Sequence, residues 1–448
     1  MISRRRFVGL GVRSVAALGG GIGMLDLGRL SAFAQTASDY RALVCVFLQG
    51  GNDANNMIVP LGPGTYDAYA AARGVLAVPS DSLLPVSTTA GQMYGLHPSL
   101  ASLLPLFQQR RMAVAANVGM LVQPMSKASY APNAEQLPRN LFSHMDQALA
   151  WQSAVARGNI RTGWGGRIVD QVPTTSSGFP TAVSVAGNAL FATGATSEPA
   201  TIIPGLSSDL AGVDTSAGAT ARVSAFEQLL DLPGGTVLIQ AASATTREGL
   251  EHARLLTSVL AGRAPLTTTF PSTDLGVQLQ EVAKVIQVRQ QLGASRQIFF
   301  CSIGGFDTHV AQTVLQEPLL LQLADALAAF YRATMELGVD SQVTTFTASE
   351  FGRTLQPTFG AGTDHAWGSH HFVIGGAVRG GDIYGQFPTV ALGGPDDISG
   401  RGVWLPTSSL DQYGATLASW FGVPPVALPI VFPNLSNFGM TSMGFIAV

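Results

Sequence analysis

Apolar and polar positions along this chain fall into blocks whose period changes from one block to the next. Ala42–Leu48 (ALVCVFL) is apolar without interruption, which predicts a strand buried on both faces of a parallel sheet. Met112–Val118, Thr181–Ala186, Gln297–Ile303 (QIFFCSI), Gln342–Ala348 and Phe372–Val378 read as further strands. Between them the period lengthens. Pro98–Arg110 and Ser143–Ala156 read as helices, the second with a Ser-His start. Asp274 is placed to cap a helix that Gly293 ends. Pro318 opens another, in which Leu320, Leu323, Leu327, Tyr331 and Met335 keep helical spacing until Gly338 stops it. Ser409–Phe421 is a late helix. Alternating units of this kind predict an α/β fold, a mostly parallel sheet with helices on both faces.

From Gly187 to about Thr273 the composition shifts to Gly, Ser, Thr and Ala, with helical stretches near Ser224–Leu232 and Thr245–Gly262. This segment reads as an insertion or cap on the main sheet, so residues 35–448 form one elaborated domain. The first residues have another purpose. Ser3-Arg4-Arg5-Arg6-Phe7 fits the twin-arginine export pattern, and a Gly- and Ala-rich stretch follows it to Ala32-Phe33-Ala34, an A-x-A cleavage signature. Arg13, Asp26 and Arg29 interrupt that stretch, which makes it too polar for a good bilayer span. Residues 1–34 are therefore expected to be a removed leader, the twin-arginine translocase a partner during export, and the periplasm or extracellular space the destination. No later stretch is long and apolar enough to span a bilayer.

Composition narrows the partners. Only 12% of the 448 residues are charged. Without the leader the chain keeps 20 basic and 27 acidic residues, a net charge of −7. There is no basic stripe, which excludes nucleic acid as an expected partner. Cys45 and Cys301 each sit in an apolar run. Two cysteines in a chain this long are no disulfide framework, and they read as buried thiols that could pair only if their strands are neighbours.

Each strong strand ends in a polar, glycine-marked turn, and in an open parallel sheet ligands bind beyond those carboxyl ends. The first turn is Gln49-Gly50-Gly51-Asn52-Asp53-Ala54-Asn55-Asn56. Asn117 follows the second strand. The later turns are Gly304-Gly305-Phe306-Asp307-Thr308-His309 and Ser349-Glu350-Phe351-Gly352-Arg353-Thr354, and a loop then carries Thr363-Asp364-His365-Ala366-Trp367-Gly368-Ser369-His370-His371. Four of the seven histidines fall between positions 309 and 371, each with a carboxylate nearby. Carboxylate and imidazole suit zinc, manganese and related divalent ions. Carboxylates gathered without a cation raise one another's pKa, and a metal relieves that cost. Asp53, Asp307, His309, Glu350, Asp364, His365, His370 and His371 are the candidate ligands, with Asn56, Asn117 and His144 lining the site. Ser143 is either a nucleophile or the cap of its helix. Arg353 is either an oxyanion-binding fork or a structural ion-pair residue. His97 and His252 read as structural or solvated.

The motifs FLQGGNDANNMIVP (47–60), LFSHMDQALAWQ (141–152), GGFDTHVAQ (304–312), SEFGRT (349–354) and GTDHAWGSHHFVIGGAVRGGDIYG (362–385) resemble those of exported bacterial proteins grouped as domain of unknown function 1501. That family looks like a distant branch of the alkaline phosphatase and sulfatase superfamily. The resemblance implies a three-layer α/β/α sandwich, alkaline-phosphatase-like, with a divalent ion (zinc, manganese or calcium) at the strand ends and a small-molecule or polymer phosphate or sulfate ester as substrate. It matches the superfamily's first-strand aspartate to Asp53, its nucleophile to Ser143 and its later Asp and His to Asp307 and His309. The following acidic step falls on Glu350 or on Asp364-His365, and the last histidine on His365, His370 or His371. No cysteine stands at the nucleophile position, so formylglycine chemistry is not expected. The expected function is an exported metal-dependent ester hydrolase; the alternative is a non-catalytic envelope protein that keeps the fold and binds a polymer or another exported protein.

Overall fold

The structure, a computed structural model, describes residues 40–130, 136–174, 178–205, 216–232 and 234–447. The expected leader and its cleavage site lie outside the described residues. Twelve strands are described: β1 (Arg41–Leu48), β2 (Ile58–Pro60), β3 (Leu84–Ser87), β4 (Met93–Leu96), β5 (Met112–Gly119), β6 (Ala182–Ser184), β7 (Ala200–Thr201), β8 (Arg296–Ile303), β9 (Val343–Ser349), β10 (Ser369–Gly375), β11 (Ile383–Tyr384) and β12 (Ser408–Ser409). The described helices of eight residues or more are α1 (Thr65–Arg73), α2 (His144–Ser153), α3 (Trp164–Gln171), α4 (Ala217–Leu230), α5 (Val237–Ala261), α6 (Asp274–Gln287), α7 (Gln312–Glu336) and α8 (Leu410–Phe421).

The main sheet runs β11-β5-β10-β9-β1-β8-β6-β7, with β12 also paired to β5, and β2-β4-β3 form a small second sheet. β1 is parallel to both β8 and β9. β10 alone in the main sheet is antiparallel to its neighbours. Side chains of a strand alternate between faces, and β1 shows what that does here. Ala42, Val44, Val46 and Leu48 join the core beneath α6 and α7, while Leu43, Cys45 and Phe47 join the core beneath α2, α3 and α8. Two apolar cores on one sheet make three layers, α/β/α, which is why the inner strands are apolar at every position. No described helix is long and apolar enough to cross a membrane.

The same alternation answers the cysteine question. The strands are neighbours, but Cys301 lies opposite Val46 rather than Cys45. That offset of one residue sends the two thiols to opposite faces of the sheet. Both are free, and burial pushes both thiols up, leaving them protonated and inert.

Several expected boundaries move. The helix expected over 98–110 splits into a 3-10 stretch, Pro98–Leu103, and a short helix, Leu104–Gln108, because Leu100 leaves helical geometry and Pro105 cannot continue the first turn's bonding. The cap of α6 is Thr273, whose hydroxyl accepts from the Gly276 N–H, rather than Asp274. Pro318 lies in the second turn of α7 rather than opening it. The start is moved back to Gln312 by backbone bonds from Ala311 and Gln312 to Gly360 and Ala361. The carbonyl that Pro318 cannot serve belongs to Val314, an exposed residue. Within the segment expected as an insertion, residues 187–202 belong to the main fold. β7 pairs with β6, and Phe191 packs edge-on against Trp164 at 4.7 Å. α4 follows, mostly exposed with Ala219 buried, and α5 buries Leu250 and Leu256.

Candidate metal centre

Leu48 pairs with both Ile303 and Ser349, so β1, β8 and β9 end at one level. The turns after them therefore start side by side. β10 runs the other way, so the loop that feeds it arrives at the same edge. Gly50 fits this crowded corner because its φ is +107° and a Cβ there would meet the Asp307 nitrogen at 2.5 Å. Asp307 and His309 come from the turn after β8. His365 comes from the loop before β10 and is bridged to Arg353 through the backbone. His144 is the first residue of α2, placed by Ser143, which caps that helix by accepting from the Asp146 N–H.

These four residues converge. One ligating atom from each of His144, Asp307, His309 and His365 lies within 4.8 Å of all the others, the one such group among the described residues. Asp307 Oδ1 is 3.0 Å from His309 Nε2, 3.5 Å from His144 Nε2 and 3.6 Å from His365 Nε2. His309 Nε2 and His365 Nε2 are 2.9 Å apart. Arg353 donates to the same Asp307 oxygen at 2.5 Å. Burial pushes the Asp307 carboxyl up, but the hydrogen bond and charge of Arg353, with His309 and His144 close by, outweigh it and hold the group below its ordinary value. Burial, helped by the charge of Arg353, holds His365 below the usual histidine range, against the bond to Phe142 that raises it.

The far nitrogens of His144 and His365 fix their tautomers, which we assign from the partners. His144 Nδ1 sits 2.6 Å from Glu350 Oε2 and donates to it. His365 Nδ1 donates to the Phe142 carbonyl at 2.7 Å. His309 Nδ1 faces Asp364 Oδ1 at 3.5 Å. With the His144 and His365 protons in place, their Nε2 lone pairs and a carboxylate oxygen point into one small volume that His309 Nε2 also borders. Lone pairs at such separations repel unless a cation lies between them. Tetrahedral zinc with bonds of about 2.0–2.1 Å sets its ligand atoms about 3.3 Å apart; the three separations to Asp307 and the one between His309 and His365 run from 2.9 to 3.6 Å, and the other pairs lie within 4.8 Å. Carboxylate or carbonyl partners behind each imidazole are the usual outer shell of a metal site. The residues fit a divalent ion.

The family described as "Protein of unknown function (DUF1501)" has a model that matches residues 40–397. The chain belongs to this family. A search of curated proteins finds no match. Among solved structures, the DUF1501 chain is similar to the PsFucS1 sulfatase from Pseudoalteromonas sp., with a TM-score of 0.36 and 9% identity over 90% of this chain and 72% of that one. It is also similar to the C-terminal periplasmic domain of EcEptC from Escherichia coli in complex with Zn, with a TM-score of 0.32 and 8% identity over 75% and 73% of the two chains. Scores and identities that low transfer neither a residue role nor a substrate to DUF1501.

The other expected site residues of this DUF1501 chain lie elsewhere or act indirectly. Asp53 is not among the converging atoms. Its carboxylate is buried and pairs with Arg73, which comes from the end of α1. Gln312 donates to it at 2.5 Å, and the Asn55 backbone and side chain at 3.0 Å each. Every acceptor direction is taken, so no metal is needed there. Glu350 and Asp364 stand behind His144 and His309 rather than beside them. Glu350 also accepts from the Gly50 N–H at 3.1 Å, and Asp364 pairs with Arg401 at 2.6 Å. Arg353 is fully buried and donates to the Gly50, Gly51 and Thr363 carbonyls as well as to Asp307. It is a structural clamp for two turns and leaves no fork for an external oxyanion.

His370 and His371 fall outside the cluster because β10 begins at Ser369, which puts them on strand faces inside the cores. His370 accepts from the Asn117 N–H at 3.0 Å and stacks on Phe387, and burial pushes its pKa down to about 3. His371 lies between Trp151 and Tyr413 with no polar partner for either nitrogen, and it too is pushed down to about 3 by burial and by His370. Asn117 donates to the Leu405 carbonyl, and Asn56 serves Tyr69, Arg73 and Leu76, so both hold loops together. Ser143 donates to the Asp146 carboxylate at 2.6 Å in addition to capping α2. His97 caps its own turn by accepting from the Ser99 N–H, and burial pushes it down to about 4. Sequence reasoning missed Arg73 and Gln312. The first carries no signal in its alanine-rich helix; the second directly follows the GGFDTHVA run, which was the available clue.

Proposed function

We propose that this DUF1501 protein is an exported, metal-dependent hydrolase of phosphate or sulfate esters, with His144, Asp307, His309 and His365 holding one divalent ion. The observation that carries the reading is the convergence of three imidazole Nε2 atoms on the Asp307 carboxylate, with the His144 and His365 rings hydrogen-bonded from behind. A set of three nitrogens and one oxygen favours zinc over manganese or calcium, which prefer oxygen-rich sites. A divalent ion there would polarise an ester oxygen and make water a stronger nucleophile near neutral pH.

The chain's own groups do the rest. Arg353 fixes Asp307, Glu350 keeps the His144 lone pair directed inward, and the Phe142 carbonyl does the same for His365. Asp364 holds a negative charge behind His309. Ser143 acts as a helix cap in this reading, and water is the attacking group. Asp146, the only carboxylate among the described residues bonded to the Ser143 hydroxyl, is held below its ordinary value, chiefly by that same hydrogen bond, which makes it a weak base.

The alternative, a non-catalytic envelope protein that binds a polymer or another exported protein, draws on one observation. Met145, Val310, Val314 and Phe359 are strongly exposed apolar residues on segments next to the cluster, and such residues mark contact surfaces when they form a patch. Metal stoichiometry of protein purified from its native host after export separates the readings, together with turnover of chromogenic phosphate and sulfate esters before and after chelation. One zinc per chain, with hydrolysis lost on chelation and restored by zinc, is the expected result. Protein without metal and without turnover would leave the binding reading in its place.

A further inference from the structure

A cavity of about 180 Å³ adjoins the cluster, bounded by Phe142, Asp364, His365, Ile398, Arg401 and Val403. His365 belongs to both sites: its Nε2 faces Asp307, and its ring lines the cavity. An apolar cavity of about 150 Å³ accepts benzene, so this volume takes one six-membered ring. Phe142, Ile398 and Val403 supply apolar wall. Arg401 is the one cation in that wall, and its side chain is 42% exposed.

The loop that carries Arg401 is built rather than loose. Asp397 is completely buried and accepts from the backbone N–H groups of Gly393, Ser399 and Val403 at 2.8 to 3.1 Å. The Arg401 carbonyl accepts from the Gln356 N–H at 3.0 Å. Gly402 turns the chain with a φ of +80°, and a Cβ there would meet Leu355 Cβ at 2.3 Å. Among the described residues the guanidinium is oriented by one bond, from Nη1 to Asp364 Oδ2 at 2.6 Å. A planar fork with five N–H donors keeps others for a ligand after that bond is made. An arginine held in place loses less freedom on binding than a mobile one.

We infer that this cavity is a binding subsite for an organic ring that carries its own anionic substituent, the ring lying against Phe142 and Val403 and the anion against Arg401. Resting on the hydrolase reading, it would hold the alcohol side of the ester, with the scissile bond reaching the metal centre past His365. The substrates selected are then esters of acidic alcohols rather than of neutral ones.

Binding of the alcohol product tests the subsite without requiring turnover. Calorimetric affinities for 4-hydroxybenzoate and for 4-methylphenol are measured on the wild type, Arg401→Gln, Arg401→Lys and Val403→Trp, with metal per chain counted in each. The wild type is expected to prefer the carboxylate by roughly tenfold or more. Arg401→Gln should erase the preference, Arg401→Lys should restore part of it, and Val403→Trp should block both compounds by filling the cavity. Equal wild-type affinities, or a preference that survives either Arg401→Gln or Val403→Trp, would overturn the subsite. A charge preference in a protein that hydrolyses no ester leaves the subsite standing and removes the hydrolase reading; hydrolysis without the preference does the reverse.

Discussion

Asp53 follows β1 and Asp307 follows β8, strands paired residue for residue, yet the first aspartate is 1% exposed and the side chain of the second is 48% exposed. Around Asp53 the fold supplies a buried cation, Arg73, and amides from Asn55 and Gln312. Around Asp307 it supplies one buried arginine and three imidazoles. Of these two strand-end carboxylates, the one whose neighbours include imidazole nitrogens is the one placed to take a cation. Where the partners are committed hydrogen-bond donors, the charge is already balanced and the site is architecture.

That contrast can be broken at several points. Arg73→Met strands the Asp53 charge in the interior. Removing one member of a buried pair costs about 3–5 kcal/mol, read as a fall in the urea midpoint. Metal content per chain should stay near that of the wild type if the variant folds, and a loss under about 1 kcal/mol would show that Asp53 finds another partner. Acid should act next. His97, His370 and His371 are held down to about 4, 3 and 3 by burial. Below about pH 6.5 the unfolded chain binds protons at these histidines that the folded chain refuses. Stability is therefore highest above that pH and falls as pH drops towards 4, by up to about 1.4 kcal/mol per unit for each histidine. Asp411, pushed up to about 7 by burial, takes a proton in the folded state first and offsets part of the fall. His371→Phe, which removes a titrating ring lacking polar partners, should flatten the profile measured by denaturation at pH 7, 6 and 5.

Smaller changes sharpen the other side. Ser143→Ala should cost about 0.5–2 kcal/mol as a lost helix cap. A specific loss of turnover with unchanged melting temperature would instead make that hydroxyl the nucleophile. His309→Ala should have the least effect on stability when measured in chelator, within about 0.5 kcal/mol, since the ring is 42% exposed. The same variant should lose its metal. If it holds metal as well as the wild type, the cluster is not the site.

The inner strands were legible because β1, β5 and β8 bury both faces and so read as unbroken apolar runs. Asp307, His309 and His365 were legible as polar residues in the turns and loop at the strand edge. What separated them from Asp53 was not, because Arg73 reaches it from a helix whose sequence, TYDAYAAAR, advertises nothing. His370 and His371 were drawn into the site by a strand start read three residues late, at Phe372 rather than Ser369. Arg353 resembled an anion fork in sequence; only the fold shows three carbonyls occupying it.

The position of β1 at the centre of the sheet has a consequence for biosynthesis. Its partners are residues 296–303 and 343–349. At about 5–20 residues per second, ribosomal synthesis delivers the second partner on the order of 15–60 s after β1 itself. Until residues 296–303 emerge, both edges of this apolar strand are unpaired, and one edge stays open until residues 343–349 follow, which makes it a segment that a chaperone would need to cover. Any fragment ending before residue 296 would leave β1 in that state permanently, and should aggregate rather than fold.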